Sequence, residues 1–148
     1  MKLNFILKKY SELTTRELYD ILQLRSEVFV VEQDCVYQDI DGKDSMALHL
    51  FAYKKEVLVA YARLFKPGDY FKDASIGRVV VKQTERKHGY GHQLMETANG
   101  AIDSLYKVSK IHLSAQEYLE KFYNTHGYQR VGEGYLEDGI PHIGMEKE

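Results

Sequence analysis

Short apolar runs alternate with polar segments along the chain, and most of these runs have the length of a β-strand. β-Branched and aromatic residues fill positions 47–53 and 57–65 on either side of a short polar link, which predicts an antiparallel hairpin. Positions 75–81 end in consecutive valines, a pattern typical of a central strand covered on both faces. Further strands are predicted over positions 3–7, 111–115, 128–133 and 142–146.

A first helix is predicted between the first strand and the hairpin. Thr14 and Glu17 have the spacing of a capping box, and apolar residues then recur with helical periodicity over about 15–31. Arg25 interrupts this apolar stripe. The segment 32–45 is rich in aspartate and has neither helical nor strand periodicity, so we expect an acidic loop.

Two more helices are predicted in the second half of the chain. One covers about 90–106 and carries an apolar stripe of Leu94, Met95, Ala98, Ile102 and Leu105. The other covers 117–126 and ends at Gly127, a residue suited to the left-handed conformation of a helix terminus. A polar loop is predicted between the last two strands. Strands and helices thus alternate around a single sheet, which predicts a mixed α/β fold.

Length and composition limit the classes of protein that fit. With 148 residues, 44% hydrophobic and 28% charged, the chain is expected to form one domain over 1–148. A formal net charge of −2 gives no broad positive field, so a nucleic-acid partner is not expected. Cys35 is the single cysteine, and no apolar stretch is long enough for a signal peptide or a membrane span. We therefore expect a cytoplasmic protein without a membrane partner.

The segment Arg86–Gly91 carries the clearest chemical signal. Two glycines directly before a predicted helix allow backbone N–H groups to point at one spot, where the helix N-terminus favours an anion such as a pyrophosphate. An ordinary strand-to-helix turn has the same glycine spacing. The segment lacks the third glycine of a dinucleotide-binding fingerprint, and no P-loop motif occurs in the chain, so NAD and ATP are disfavoured.

The strand Arg78–Val81 followed by Arg86-x-x-Gly89-x-Gly91 resembles the GNAT superfamily of acyl-CoA-dependent N-acetyltransferases. The run Phe122–Tyr128 is similar to the Phe-Tyr-x-x-x-Gly-aromatic pattern of that family. Two further segments, Arg25–Gln33 and Glu137–Ile143, resemble the ElaA-like subgroup. The resemblance implies a mostly antiparallel central sheet of about six to seven strands flanked by helices.

The resemblance also implies a binding site for acetyl-CoA as co-substrate. The strand 78–81 would diverge from the strand 111–116, so that backbone groups of the first strand contact the pantetheine arm. Amides of the glycine loop would hold the pyrophosphate. The implied cofactor-binding residues are Val79, Val80, Val81, Arg86, Lys87, His88, Gly89, Tyr90, Gly91 and His92. The valines are also expected as part of a core strand.

Candidate catalytic residues follow from the same resemblance and from the chemistry of amines. Tyr123, the tyrosine of the Phe-Tyr pair, is the candidate general acid for the departing CoA thiolate. An alkyl amine must lose a proton before it attacks, and the family motifs do not fix the base. We expect His142 and Glu32 to line the acceptor pocket. The other candidate bases are His49, His112, Glu137 and Asp138.

These features predict an N-acetyltransferase that moves an acetyl group directly from acetyl-CoA to a primary amine of a small molecule or of a peptide lysine. The acidic loop, if it borders the acceptor site, favours a cationic amine. No metal is expected, because His88 and His92 have no third ligand nearby. The resemblance allows a homodimer.

Two alternatives stay open at the level of sequence. The segment Phe29–Gln33 is faintly similar to acyl-homoserine lactone synthases, and a lactone product from acyl-CoA and S-adenosylmethionine would identify that activity. A non-catalytic CoA-binding regulatory module would instead be stabilised by CoA without releasing free thiol from acetyl-CoA in the presence of amines.

Overall fold

A computed structural model describes residues 2–148, and seven strands within them form one sheet. The strands are β1 Phe5–Lys9, β2 Leu48–Lys54, β3 Val57–Phe65, β4 Ala74–Val81, β5 Ile111–Gln116, β6 Tyr128–Glu137 and β7 Ile140–Lys147. Their order across the sheet is β1-β2-β3-β4-β5-β7-β6. Only β4 and β5 run parallel, and all other neighbours are antiparallel. The predicted mixed, mostly antiparallel sheet is confirmed, and β4 lies at its centre.

Within the described part of the chain, three α-helices flank the sheet. They are α1 Thr15–Arg25, α2 Tyr90–Tyr106 and α3 Glu120–Asn124. The start of α1 is fixed by the predicted capping box, in which the Glu17 N–H donates to Thr14 Oγ1 at 3.0 Å and the Thr14 N–H donates to Glu17 Oε1 at 2.8 Å. The chain continues from α1 as a π-helical segment, Ser26–Glu32. Among residues 2–148, no helix is long and apolar enough to cross a membrane.

Two hydrophobic clusters hold the helices on opposite faces of the sheet. On one face α2 buries Leu94, Met95, Ala98 and Ile102 as predicted, whereas Leu105 is half exposed and lies outside the core. On the other face α1 packs against β2, β3 and β4. Because the clusters lie on both faces of β3 and β4, the middle of the sheet is buried on both sides.

The C-terminal region differs from the sequence prediction in two places. The predicted polar loop is a tight hairpin turn, because Asp138 and Gly139 both adopt the left-handed backbone conformation and β6 and β7 pair up to the turn. The predicted helix 117–126 is a 3₁₀ turn, Glu117–Leu119, followed by the short α3. Gly127 does follow in the left-handed conformation, with φ +92°.

Candidate active site

A gap opens between β4 and β5 in the centre of the sheet. Among the described residues, these strands pair only at Ala74 with Ile111 and at Ser75 with His112. Beyond that point β4 continues to pair with β3, and β5 continues to pair with β7. The C-terminal halves of β4 and β5 are therefore not paired with each other. This is the divergence that the family resemblance implies.

The backbone of β4 presents polar groups to this gap. The Lys82 N–H donates to the Val59 carbonyl of β3 at 2.8 Å. Since backbone groups of successive strand residues point to alternate sides, those of Val81 point away from β3 and toward the gap. The Val81 carbonyl accepts a hydrogen bond from Arg86 Nε at 3.2 Å, which is consistent with this direction.

A bulge in β4 adjusts the same edge. The register between β3 and β4 shifts between Tyr61 and Arg63, where β4 has one residue more than β3. Arg78 lies in this bulge and has φ +48°. The side chains around the bulge lie on different sides, because Val80 packs against α1 whereas Val79 and Val81 contact the cluster beneath α2. The three valines are thus core residues whose backbone also borders the gap.

The glycine-containing loop ends at the mouth of the gap, where α2 begins. Gly89 occupies the N-cap position with φ +76° and offers no side chain to cap the helix. The N–H groups of Gly91 and His92 lie in the first helical turn, where an α-helix has no carbonyl of its own to accept them. A Cβ at position 91 would lie 3.4 Å from the Phe122 ring, so a larger side chain would press against α3. This turn has the open backbone donors that a phosphate needs.

Arg86 of the loop has its charged partner elsewhere in the chain. Arg86 forms a bidentate ion pair with Glu32, with N–O distances of 2.5 and 2.9 Å. Both oxygens of Glu32 thus accept hydrogen bonds from Arg86, and the expectation that Glu32 lines an acceptor pocket stays a prediction. Lys87 and His88 are exposed, and Lys87 adopts φ +72°. The pair connects the loop to the end of the π-helical segment.

Tyr123 is buried between helix α3 and the sheet. Its ring contacts Phe122 and Tyr128 edge to face, and its hydroxyl hydrogen-bonds to no other described residue. Burial raises the pKa of Tyr123 well above its usual range, and Tyr118 adds to this rise. The hydroxyl therefore keeps its proton at neutral pH and is available both to donate and to accept a hydrogen bond.

His142 lies at the point where β7 meets the end of β5. It is paired in register with Gln116 of β5 and with Tyr135 of β6, and its ring stacks on the Tyr135 ring. Its Nδ1 lies 2.7 Å from the Ile140 carbonyl, and its Nε2 lies 3.4 Å from Glu137 Oε2. The neighbouring Ser114 and Tyr135 hydroxyls also bond to each other. These side chains form a polar patch beside the gap.

The other candidate bases have mainly structural partners. His49 is fully buried and bridges the Tyr61 hydroxyl and the Asp44 carbonyl, and burial lowers its pKa. His112 pairs with Glu146 at 3.1 Å.

The Asp138 carbonyl lies 3.4 Å from Cys35 Sγ, which brings the start of the acidic loop to the β6–β7 turn. Among the described residues, no hydrogen bond or ion pair joins Tyr123, His142 and Glu32 to one another.

The acidic loop itself is not a free negative surface. Asp39, Asp41 and Asp44 bind arginines that come from α1, β3 and β4, with closest N–O distances of 2.7 to 3.0 Å. The arginines are Arg25, Arg63 and Arg78. Arg25 and Arg63 are almost completely buried. We call these six residues the Arg–Asp cluster; it neutralises three of the four aspartates of the loop, and the fourth, Asp34, is exposed.

Sequence reasoning missed two groupings near the site. The sequence analysis did not predict that Arg25 is buried, although this residue anchors the Arg–Asp cluster. His92 and His126 share a 2.8 Å contact between ring nitrogens and both contact Phe122. The two histidines are 34 positions apart, and nothing in their spacing signals the contact.

Comparisons with known proteins agree with this geometry. Residues 7–148 match the family model described as "Acetyltransferase (GNAT) domain". Protein ElaA of Escherichia coli K12 is 45% identical over 141 residues, which cover 94% of this chain and 92% of ElaA. A crystal structure of an acyl-CoA N-acyltransferase from Pseudomonas aeruginosa superposes with a TM-score of 0.93 at 46% identity, covering 99% of this chain and all of that one.

A more distant likeness concerns the fold alone. A Bacillus subtilis acetyltransferase in complex with CoA superposes with a TM-score of 0.67 at 21% identity, covering 99% of each chain. That protein shares the architecture and binds CoA. Taken together, the family model, the identity to ElaA and the structural match show that the chain belongs to the GNAT acetyltransferase family.

Proposed function

We propose that residues 1–148 form one acetyltransferase domain, which transfers the acetyl group of acetyl-CoA directly to a primary amine of a small molecule or of a peptide lysine. One observation carries the proposal: β4 and β5 separate after two residue pairs, and the helix that follows β4 starts at a left-handed glycine at the mouth of the opening. The arrangement supplies backbone donors for a phosphate and a slot for an extended chain in one place.

The residues around the gap fit CoA. The amides at the start of α2, from His88 to His92, would hold the pyrophosphate, and Val79 and Val81 would pair with the pantetheine arm. Lys87 would add positive charge, whereas Arg86, whose charge is balanced by Glu32, would hold the loop through its hydrogen bond to the Val81 carbonyl. Val80 would fix the strand through its core contact. When bound, acetyl-CoA supplies the activated thioester.

Alignment of the two substrates would provide most of the rate enhancement. Holding two reactants in the right geometry contributes about 7 to 11 kcal/mol. A backbone N–H of the diverging part of β4 would also donate to the thioester oxygen, and such donors are typically worth about 2.7 to 4 kcal/mol. The bulge at Arg78 sets the direction of these groups.

Proton transfer would involve Tyr123 and His142. Because its raised pKa keeps Tyr123 protonated, the hydroxyl would donate to the departing sulfur while accepting a proton in the same step. Since the Ile140 carbonyl can only accept, His142 carries its hydrogen on Nδ1, and Nε2 of the neutral ring holds the basic lone pair. Glu32 would line the acceptor pocket while its two oxygens accept hydrogen bonds from Arg86.

Calorimetry with CoA and a thiol-release assay over a panel of amines test the proposal. We expect CoA to bind, thiol to be released with at least one primary amine, and His142→Gln to reduce kcat by roughly 10² or more. A protein that takes up neither CoA nor acetyl-CoA would contradict the proposal. Binding of CoA without thiol release would indicate a regulatory module instead.

A further inference from the structure

Helix α3, which carries Tyr123, is too short to hold its own position. It has five residues, Glu120–Asn124, and an isolated helix of fewer than about 12 residues is marginally stable in water. The place of Tyr123 is therefore determined by contacts that α3 and the turn after it make with the rest of the chain. Asn99, on the neighbouring helix α2, makes two of these contacts with a single side chain.

Asn99 uses both ends of its side-chain amide. Its Nδ2 donates to the His126 carbonyl at 3.3 Å, and its Oδ1 accepts from the Tyr128 hydroxyl at 2.7 Å. A carbonyl can only accept, so the amide nitrogen must face His126, and the amide oxygen is left to accept the Tyr128 O–H. His126 lies in the turn after α3, and Tyr128 begins β6. The amide thus joins α2 to this turn and to the sheet.

Tyr128 links the amide of Asn99 to Tyr123. Tyr128 is completely buried, and its ring meets the Tyr123 ring edge to face with 6.1 Å between the centroids. The Tyr128 carbonyl accepts from Asn124 Nδ2 at 2.8 Å, so the residue next to Tyr123 is bound to the same tyrosine. Tyr128 is therefore fixed both at its backbone and at its hydroxyl. Any shift of its ring would move a surface against which Tyr123 packs.

The two hydrogen bonds require an amide at position 99. An apolar side chain would leave the buried Tyr128 hydroxyl without its acceptor, which is costly. An ionised aspartate has nearly the shape of asparagine and could still accept from Tyr128. Its second oxygen would, however, face the His126 carbonyl, and neither group has a hydrogen to donate.

We propose that Asn99 is a positioning residue for the acid step, because through Tyr128 and the turn after α3 it holds the Tyr123 hydroxyl in place for the departing sulfur. The proposal rests on the proposed acetyltransferase function. In that step the amine nitrogen forms the C–N bond and the C–S bond breaks. The Tyr123 hydroxyl gives its proton to sulfur and takes one from the nitrogen, so it ends the step neutral. Asn99 then affects the rate only through the Tyr123 hydroxyl.

The test is a double-mutant cycle between Asn99 and the Tyr123 hydroxyl. Thiol release from acetyl-CoA is measured for the wild type, Asn99→Asp, Tyr123→Phe and the double variant. The acceptor probes are n-butylamine, spermidine and a lysine peptide. Each kcat is divided by the number of CoA sites counted by calorimetry, so that protein that has failed to fold does not contribute.

We expect Asn99→Asp to lower kcat by about tenfold, because a misplacement of about 1 Å can cost up to about 10² in rate. In the Tyr123→Phe background, where the hydroxyl is absent, the same change should lower kcat by less than about twofold. Tyr128→Phe keeps the ring but removes the O–H that Asn99 accepts, so it should show the same dependence on the background. A merely structural role would lower kcat by the same factor in both backgrounds.

Asp103→Asn is the matched control, because it makes the reverse exchange at an exposed position one turn later in α2. It should leave kcat unchanged. The proposal is overturned if Asn99→Asp keeps full kcat, if its loss is equal in both backgrounds, or if the control loses as much. Full kcat in Tyr123→Phe would also overturn it, since no acid step would remain to be positioned. Failure of the proposed function is distinguishable, because the wild type itself would then take up no CoA or release no thiol.

Discussion

Charged groups are arranged in opposite ways on the two sides of the gap between β4 and β5. On the side of β1–β4, the carboxylates of the Arg–Asp cluster meet guanidinium groups, as in the 2.7 Å contact between Arg25 and Asp44. On the side of β5, β7 and β6, Glu137 faces a ring nitrogen at 3.4 Å and remains half exposed. In the first arrangement buried charges hold chain segments together, and in the second a carboxylate stays half exposed at the surface.

This difference shows that the number of charged residues in a segment does not give the charge that the segment presents to a ligand. The loop 32–45 is the most aspartate-rich part of the chain, but its buried aspartates are neutralised. Substitutions in the Arg–Asp cluster should therefore change the free energy of unfolding. Substitutions on the other side of the gap should change binding and rate.

The largest effect is expected from Arg25→Met, which leaves Asp39 and Asp44 buried without their shared partner. Breaking a buried ion pair by removing one member typically costs about 3 to 5 kcal/mol. Urea unfolding measures this loss. The control is Arg16→Met, because Arg16 is two-thirds exposed and 3.5 Å from Asp20, so its change should stay within about 0.5 kcal/mol. Equal losses for the two variants would contradict the assignment of the cluster as a stabilising unit.

Several elements could be predicted from the sequence because local patterns determine them. The helix predicted over 90–106 has the observed bounds of α2, since an apolar stripe and a preceding glycine mark both its face and its start. The capping box at Thr14 and the hairpin of β2 and β3 depend only on neighbouring residues and were also confirmed.

Other features depend on contacts that a single sequence does not display. Arg25 interrupts an apolar stripe, and its burial becomes intelligible only once three chain segments bring aspartates to it. The divergence of β4 from β5 is a matter of register, so only the family resemblance could imply it. The turn at Asp138 and Gly139 did have a local signal, because Asp-Gly is a preferred hairpin dipeptide, and the prediction of a longer polar loop overlooked it.

On the other side of the gap, Tyr123→Phe tests the separation of rate from stability. We expect kcat to fall by roughly 10², the lower end for a positioned acid, because a CoA thiolate leaves moderately well unaided. The unfolding temperature should not change, since the hydroxyl bonds to no described residue. Tyr118→Phe is the control because Tyr118 is largely exposed. Full turnover in Tyr123→Phe would show that the Tyr123 hydroxyl has no role in the reaction.

A smaller effect is expected at the start of α2, where Gly89→Ala can be compared with Gly100→Ala in the same helix. Gly89 has φ +76°, and a side chain in the left-handed conformation costs about 1 to 2 kcal/mol. The distorted turn should weaken CoA binding by about tenfold, measured by calorimetry. Gly100 is exposed within the helix with no atom near its missing Cβ, so its alanine variant should bind CoA normally and gain about 0.5 to 1 kcal/mol. Unchanged CoA affinity in Gly89→Ala would show that this turn is not part of the CoA-binding site.

The smallest effect is a shallow loss of stability as the pH falls from about 7.5 to about 5.5. Burial lowers the pKa of His49, and burial together with His92 lowers that of His126, so the unfolded chain binds more protons than the folded chain in this range. In His49→Gln the amide can still donate to the Asp44 carbonyl and accept from Tyr61, and the slope of unfolding temperature against pH should decrease.

A second, separate loss should begin below about pH 4 and should persist in His49→Gln. Burial alone would raise the pKa of Asp41 and of Asp44, but hydrogen bonds and charge from Arg63 and Arg25 outweigh it and lower both values. Carboxyls with lowered pKa stabilise the fold above their unfolded pKa, and this stabilisation disappears as the pH falls toward the folded value. If His49→Gln left the shallow slope unchanged, the titration of His49 would not be its source.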